Sequence, residues 1–143
     1  PKFIRQVVSE KTSKELRLIM ESVVTDGSGK KAYVPGFRVG GKTGTAEKIV
    51  NGKYSKGNVY SSFVAIAPVN NPKIAVLVIC DEPQGIHFGS LTAAPVAEEI
   101  IRDTLRYLEI EPQYNEEEKL KFERKDVVVP EVRSLKLSEA SKI

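Results

Sequence analysis

The chain carries a single cysteine, Cys80, a single histidine, His87, and no tryptophan. One cysteine cannot close an internal disulfide, and one cysteine with one histidine cannot furnish the usual zinc ligands, so no metal or other cofactor is expected. Long apolar runs are equally scarce. The longest, Ile74 to Cys80, falls far short of the roughly 20 residues that span a bilayer, and no signal-like segment opens the chain. A membrane anchor is therefore expected only in a missing N-terminal part, because the start at Pro1 and the mid-pattern end at Lys142-Ile143 predict a piece of a longer protein. One-sided charge is lacking too: the net charge of +3 comes from 22 basic and 19 acidic residues that are interleaved. Without a basic stripe bearing aromatics, nucleic acid is not an expected partner. Cys80 lies inside the apolar run and reads as packing, since apolar burial raises a thiol's pKa.

What is present is enough for one ordinary core: 143 residues, 41% of them hydrophobic and 29% charged. Thr12-Ser13-Lys14-Glu15 has the form of a capping box. Leu16, Ile19, Met20, Val23 and Val24 then follow at helical spacing, predicting an amphipathic helix over 12–25. Pro95 in a first turn and Ala97, Ile100, Ile101, Thr104, Leu105 and Leu108 predict a second helix over 94–108. Between them lie strand candidates at 37–50, 59–67 and 74–80, the last apolar throughout and so expected to be covered on both faces. Asn51-Gly52 and Asn70-Asn71-Pro72 are turn sequences short enough to join them as an antiparallel meander. The fold class is α+β, an antiparallel sheet covered by helices. Residues 113–126, with Pro112 before them and Glu116-Glu117-Glu118-Lys119 within, read as a charged linker, and strand- and helix-like elements start again at Val127 and Leu137.

Gly36-Phe37-Arg38-Val39-Gly40-Gly41-Lys42-Thr43 satisfies the phosphate-loop pattern, and Val76 to Asp81 with Glu82 could pass for an acidic strand that holds magnesium. A phosphate loop works because a buried strand enters the glycine turn and a helix leaves directly after Lys-Thr. Here the entry, Lys30 to Pro35, is polar and ends on proline, and the exit to Asn51-Gly52 has glycines and a tight turn. The nucleotide-binding reading is disfavoured on both flanks. In the other reading Lys42-Thr43-Gly44 lies within a strand, as in penicillin-binding proteins and serine β-lactamases. Alternation then puts Lys42 and Gly44 on one side and Thr43 and Thr45 on the other. The ammonium offers positive potential to a hydroxyl network and a carboxylate, the threonines can hydrogen-bond that carboxylate, and Gly44 lets substrate approach the strand. Backbone N–H groups at a strand edge can also face a developing oxyanion.

The neighbours extend the match. Val34-Pro35-Gly36-Phe37 through Ala46-Glu47 resembles the third-strand segment of class B penicillin-binding proteins. So do, in order, Tyr60-Ser61-Ser62-Phe63-Val64-Ala65, Asn71-Pro72-Lys73-Ile74, Asp81-Glu82-Pro83, Gly89-Ser90, Ala93-Ala94-Pro95-Val96 and Asp103-Thr104-Leu105-Arg106. The resemblance covers nearly all of residues 1–112 and implies an incomplete transpeptidase fold. Val127-Val128-Val129-Pro130 and Leu137-Ser138-Glu139-Ala140 look like the truncated start of a PASTA module over 127–143. Together these imply a parent similar to the sporulation-specific protein D type or to another PASTA-bearing division transpeptidase.

By that resemblance the parent is a serine-type D,D-transpeptidase on the extracytoplasmic face of the bacterial membrane. It cross-links peptidoglycan peptide stems ending in D-Ala-D-Ala and takes β-lactam antibiotics as acyl donors. Lys42 becomes the catalytic electrostatic and proton-network residue, and Thr43, Gly44 and Thr45 line the substrate, with the Thr45 N–H as half of the oxyanion hole. The family's serine nucleophile and its S-x-N serine have no counterpart: no S-x-N or Y-x-N occurs, and the sole S-x-x-K match, Ser28 to Lys31, sits in a glycine turn. Ser28 is read as turn chemistry, so the fragment alone is expected to be inactive. His87 reads as loop packing near the site, Asp81 and Glu82 as a strand end in solvent, and Glu47 and Lys48 as facing water or each other. A second function class, a muropeptide- or partner-binding module, stays open on the strength of the PASTA-like start.

Overall fold

The computed structural model describes residues 4–122. Helix α1 spans Glu10–Thr25, strands β1 Gly40–Val50, β2 Lys53–Ala67 and β3 Ile74–Asp81 follow, and helices α2 Gly89–Tyr107 and α3 Glu116–Phe122 come last among the described residues. A turn of 3-10 helix, Lys30–Ala32, lies between α1 and β1. The predicted PASTA start at 127–143 lies outside the described residues.

The meander is as expected: one three-stranded antiparallel sheet in the order β1-β2-β3. Asn51 and Gly52 join β1 to β2 with φ of 52° and 75°, the left-handed values that a two-residue hairpin turn demands and that Asn-Gly adopts most readily. That turn carries β2 back along β1 from Lys53, so β2 begins earlier than the apolar signal at Val59 predicts. Cross-strand hydrogen bonding does not require apolar side chains, and the polar hairpin end gives no periodic signal to read. Strand β1 begins at Gly40 rather than residue 37.

Both helices start before the predicted residue, α1 by two residues and α2 by more than a turn. Ser9, not Thr12, caps α1: its Oγ accepts from the Thr12 N–H at 3.1 Å, and Glu10 sits in the first turn. Helix α2 starts at Gly89 and carries Pro95 inside it, with Leu91 and Thr92 N–H groups donating to the Phe88 carbonyl at 2.9 and 3.1 Å. The first-turn position predicted for Pro95 is therefore corrected: within the helix it forfeits one hydrogen bond and its ring crowds the Leu91 carbonyl.

The side of the sheet that carries Phe63, Ala65 and Ala67 of β2 is buried, with Ala93, Ala94, Ala97, Ile101 and Leu105 of α2 and Val24 of α1. Three alanines facing the sheet allow α2 to lie close against β2 and β3. On β3 alternate residues Ile74, Val76, Val78 and Cys80 pack against this core, whereas Leu77 and Ile79 on the other face are 63% and 57% exposed. The expectation of burial on both faces is corrected: among the described residues no element covers that second face. Cys80 is free and half-buried on the core side.

Candidate active site

The site is built on β1, an edge strand, so alternate backbone groups along its free side point away from β2. Residues opposite one another in an antiparallel pair share a face. Lys42 lies opposite Val64, which in turn lies opposite Leu77, so Lys42 stands on the exposed face. Thr43 lies opposite Phe63, on the buried face. The alternation read from the sequence is the alternation observed.

Lys42 is exposed and its Nζ donates to the Thr43 carbonyl at 2.9 Å; among the described residues it has no ion-pair partner. A cation left without a carboxylate beside a surface strand is free to meet an anion from outside. Two residues on, Gly44 faces Ser62, and a methyl group at Gly44 would come within 2.6 Å of the Ser62 Oγ. The missing side chain keeps this stretch of β1 open. A methyl at Gly41 would run into the Phe63 ring, so this second glycine serves packing rather than access. Because the chain crosses Lys42 and Thr43 as a strand, no helix N-terminus is there to cradle phosphates, and the phosphate-loop reading fails on geometry.

Thr43 is half-buried, and its Oγ1 lies 3.3 Å from the Ser28 Oγ. The sequence reads Ser28 as a turn residue. The loop after α1 in fact folds over the sheet: the Gly29 N–H donates to the Val23 carbonyl at 2.8 Å, and Gly29 is buried so tightly that a methyl on it would meet the Phe63 ring at 3.2 Å. Phe63, fully buried, thus packs under both Gly29 and Gly41 and fixes Ser28 over Thr43. No periodicity connects residues 28 and 43, so nothing in the sequence pointed to the contact.

Thr45 is exposed and lies opposite Ser61, whose buried hydroxyl donates to the His87 carbonyl. The loop before α2 therefore lies alongside the site through its backbone, whereas the His87 residue itself is exposed rather than packed. Gly89, the first residue of α2, touches the strands directly: a methyl there would overlap the Ser62 carbonyl oxygen and lie 3.0 Å from that of Gly44. This contact was also invisible in the sequence, where Gly89 counts only as part of the Gly89-Ser90 resemblance.

Lys48 corrects an expectation. It does not pair with Glu47; its Nζ reaches Asp81 at 2.6 Å and Glu82 at 2.8 Å, 4.7 Å from the Tyr60 ring centroid. Hydrogen bonds to Asp81 first, then Glu82, hold the ammonium above its ordinary pKa. Asp81 and Glu82 end the strand in solvent as expected, yet they are tied across the sheet to β1 rather than free. Among the described residues no cluster of His, Cys, Asp or Glu could hold a metal ion, and no helix is long and apolar enough to cross a membrane.

Residues 1–102 match the family model of the penicillin binding protein transpeptidase domain, and the chain belongs to that family. It is 45% identical over 139 residues to stage V sporulation protein D of Bacillus subtilis, covering 94% of this chain and 21% of that protein. It is 40% identical over 109 residues to a peptidoglycan D,D-transpeptidase FtsI homolog of Mesostigma viride, covering 75% of this chain and 18% of that protein. The chain thus spans about a fifth of the length of the curated relatives it matches.

Among solved structures, the transpeptidase domain of penicillin-binding protein 3 from Burkholderia pseudomallei superposes with a TM-score of 0.70 at 45% identity, over 78% of this chain and 34% of that one. Penicillin-binding protein 3 from Mycobacterium tuberculosis, complexed with ampicillin, gives 0.69 at 28% identity, over 77% and 27%. The α+β fold is therefore a part of the penicillin-binding transpeptidase fold.

Proposed function

We propose that these residues are the part of a serine-type peptidoglycan D,D-transpeptidase that presents the Lys42 strand to a peptide stem ending in D-Ala-D-Ala, at the extracytoplasmic face of the membrane. A serine supplied by a part of the protein outside these residues attacks the penultimate D-alanine carbonyl. D-alanine leaves with the proton that the hydroxyl network delivers, and an amine of a second stem then takes the acyl group, releasing the serine. A β-lactam enters as the same kind of acyl donor. Lys42 supplies positive potential to the substrate carboxylate and to the hydroxyl network. Thr43 and Thr45 hydrogen-bond that carboxylate, and Gly44 leaves the strand open to close approach. The Thr45 N–H serves as half of the oxyanion hole.

The observation that carries this reading is Lys42 itself, exposed on the open face of an edge strand without an ion-pair partner among the described residues, beside a glycine whose methyl would close the approach. The relatives named peptidoglycan D,D-transpeptidases and the ampicillin-bound neighbour supply the chemistry to expect.

Fluorescent penicillin tests it. The 143-residue chain should not be labelled, because it offers no S-x-N serine and its only S-x-x-K serine lies in a turn. The complete protein should be labelled, and Lys42→Ala should slow its acylation at least about tenfold. Labelling of the isolated chain at Ser28, or an undiminished rate in the Lys42→Ala protein, would overturn the assignment.

A further inference from the structure

Residues 113–126 have a linker's composition, yet within them α3 is docked onto the turn that leads into β1. Asn115 and Glu118 form a reciprocal cap: Asn115 Oδ1 accepts from the Glu118 N–H at 2.9 Å, and Glu118 Oε2 accepts from the Asn115 N–H at 2.8 Å. The second oxygen of the same carboxylate leaves the helix. Glu118 Oε1 accepts from the Tyr33 hydroxyl at 2.5 Å and from the Gly36 N–H at 3.0 Å, and the residue is only 8% exposed. The Gly36 carbonyl in turn accepts from the Gln113 N–H at 2.6 Å, so both backbone polar groups of Gly36 are taken by this segment. Gly36 has φ of 77°, and a methyl on it would come within 2.6 Å of Pro112 and 2.9 Å of the Tyr114 ring. Only glycine fits this grip.

Helix α3 is too short to hold itself in water, and its Leu120 is 71% exposed rather than packed. Its place depends on the hydrogen bonds just described, which can form or break together. We propose that residues 112–122 are a latch: closed on Gly36 and Tyr33, it sets the lead-in to β1 and so couples the chain around α3 to the position of Lys42 and Thr43. Two further anchors share the load on that lead-in. Arg38 Nε donates to Glu21 of α1 at 2.6 Å, and the Val69 N–H donates to the Arg38 carbonyl at 2.8 Å, so opening the latch shifts the strand entry without unfolding it. Coupling of this kind is reciprocal: a ligand that fixes β1 must tighten the latch by the factor that the latch tightens the ligand.

Hydrogen–deuterium exchange on the complete protein tests the proposal. Glu118→Gln and Tyr33→Phe should each speed exchange in 33–39 as well as in 112–122 at least about threefold. In the unsubstituted protein, acylation by penicillin should slow exchange in 112–122 by a similar factor, an effect lost in Glu118→Gln. Unchanged exchange in 33–39 for both variants, or a latch indifferent to acylation, would refute the coupling. The ligand arm rests on the function proposed above, whereas the ligand-free arm does not. A protein that takes no penicillin overturns that function and leaves the latch to be judged by ligand-free exchange alone. Should Glu118→Gln fail to fold, Tyr33→Phe, which keeps the carboxylate and its two backbone donors, carries the same test.

Discussion

Substituting Gly89 by alanine adds one methyl group at the start of α2, and the structure says what it must push. The new carbon would overlap the Ser62 carbonyl oxygen and approach the Gly44 carbonyl oxygen at 3.0 Å. Both are backbone atoms of hydrogen-bonded strands, so no rotamer change relieves the contact, and the helix start and the strands must part by about 1 Å, a misplacement that can cost roughly a hundredfold in rate when it reaches reacting groups. Overpacking of this kind costs about 1–3 kcal/mol of stability. Alanine's better helix propensity returns about 1 kcal/mol at most, and less at a first helical residue. Packing therefore wins, and the displaced peptide is that of Gly44, next to the proposed oxyanion donor. In the complete protein Gly89→Ala should lower the rate of fluorescent-penicillin acylation at least about tenfold while lowering the melting temperature by a few degrees. An acylation rate within twofold of the unsubstituted protein would refute the reasoning, because it would mean that the helix and the strand move independently.

Ser28→Ala removes the hydroxyl 3.3 Å from the Thr43 Oγ1 and should reduce acylation a few-fold, with Ser28→Thr retaining the rate; equal loss in both would make the contact incidental. Phe63→Ala should destabilise by about 3–5 kcal/mol in denaturant unfolding, since its buried ring packs under both Gly29 and Gly41. The latch should weaken at both ends of the pH scale. Burial raises the Glu118 carboxyl, but hydrogen bonds from Tyr33 and from the Asn115 and Gly36 N–H groups, with Lys121 nearby, outweigh it and hold its pKa below the ordinary 4.5. Its contribution is present above 4.5 and lost as pH falls through the lower folded value, so the melting difference between the unsubstituted protein and Glu118→Gln should shrink on acidification. Burial first, then the Glu118 hydrogen bond and charge, with Glu117 adding to them, push Tyr33 up to about 12 against an opposing hydrogen bond to Asn115. Its contribution is complete below pH 10 and lost toward 12, so the difference from Tyr33→Phe should shrink on going alkaline.

Much of the scaffold was legible because it follows local rules. Apolar spacing marks α1 and α2, the Asn51-Gly52 pair marks the hairpin, and alternation alone puts Lys42 and Thr43 on opposite faces of β1. The errors have physical causes. A cap can be supplied by any of several hydroxyl residues in succession, which is why Ser9 displaced Thr12, and the polar half of β2 is held by cross-strand backbone bonds that leave no mark on hydropathy. Leu77 and Ile79 show that an apolar run alone does not say that both faces of a strand are covered. At the site, Lys42, Thr43, Gly44 and Thr45 came from a contiguous motif. Ser28, Ser62, Gly89 and Lys48 join them, or are kept from them, only through tertiary contacts between residues far apart in the chain.

Strand β1 has three glycines among its first five residues: Gly40, Gly41 and Gly44 give that stretch openness and little rigidity. Its straightness is borrowed from β2, with which it stays in register from Gly40 opposite Ile66 to Glu47 opposite Val59. The motif residues are thus the least free to vary and the surrounding supports the most able to adjust reach. On the function proposed above, change under selection is expected to accumulate first at Ser28, Ser62, Val64 and around Gly89, positions that adjoin the motif residues while leaving the motif itself intact.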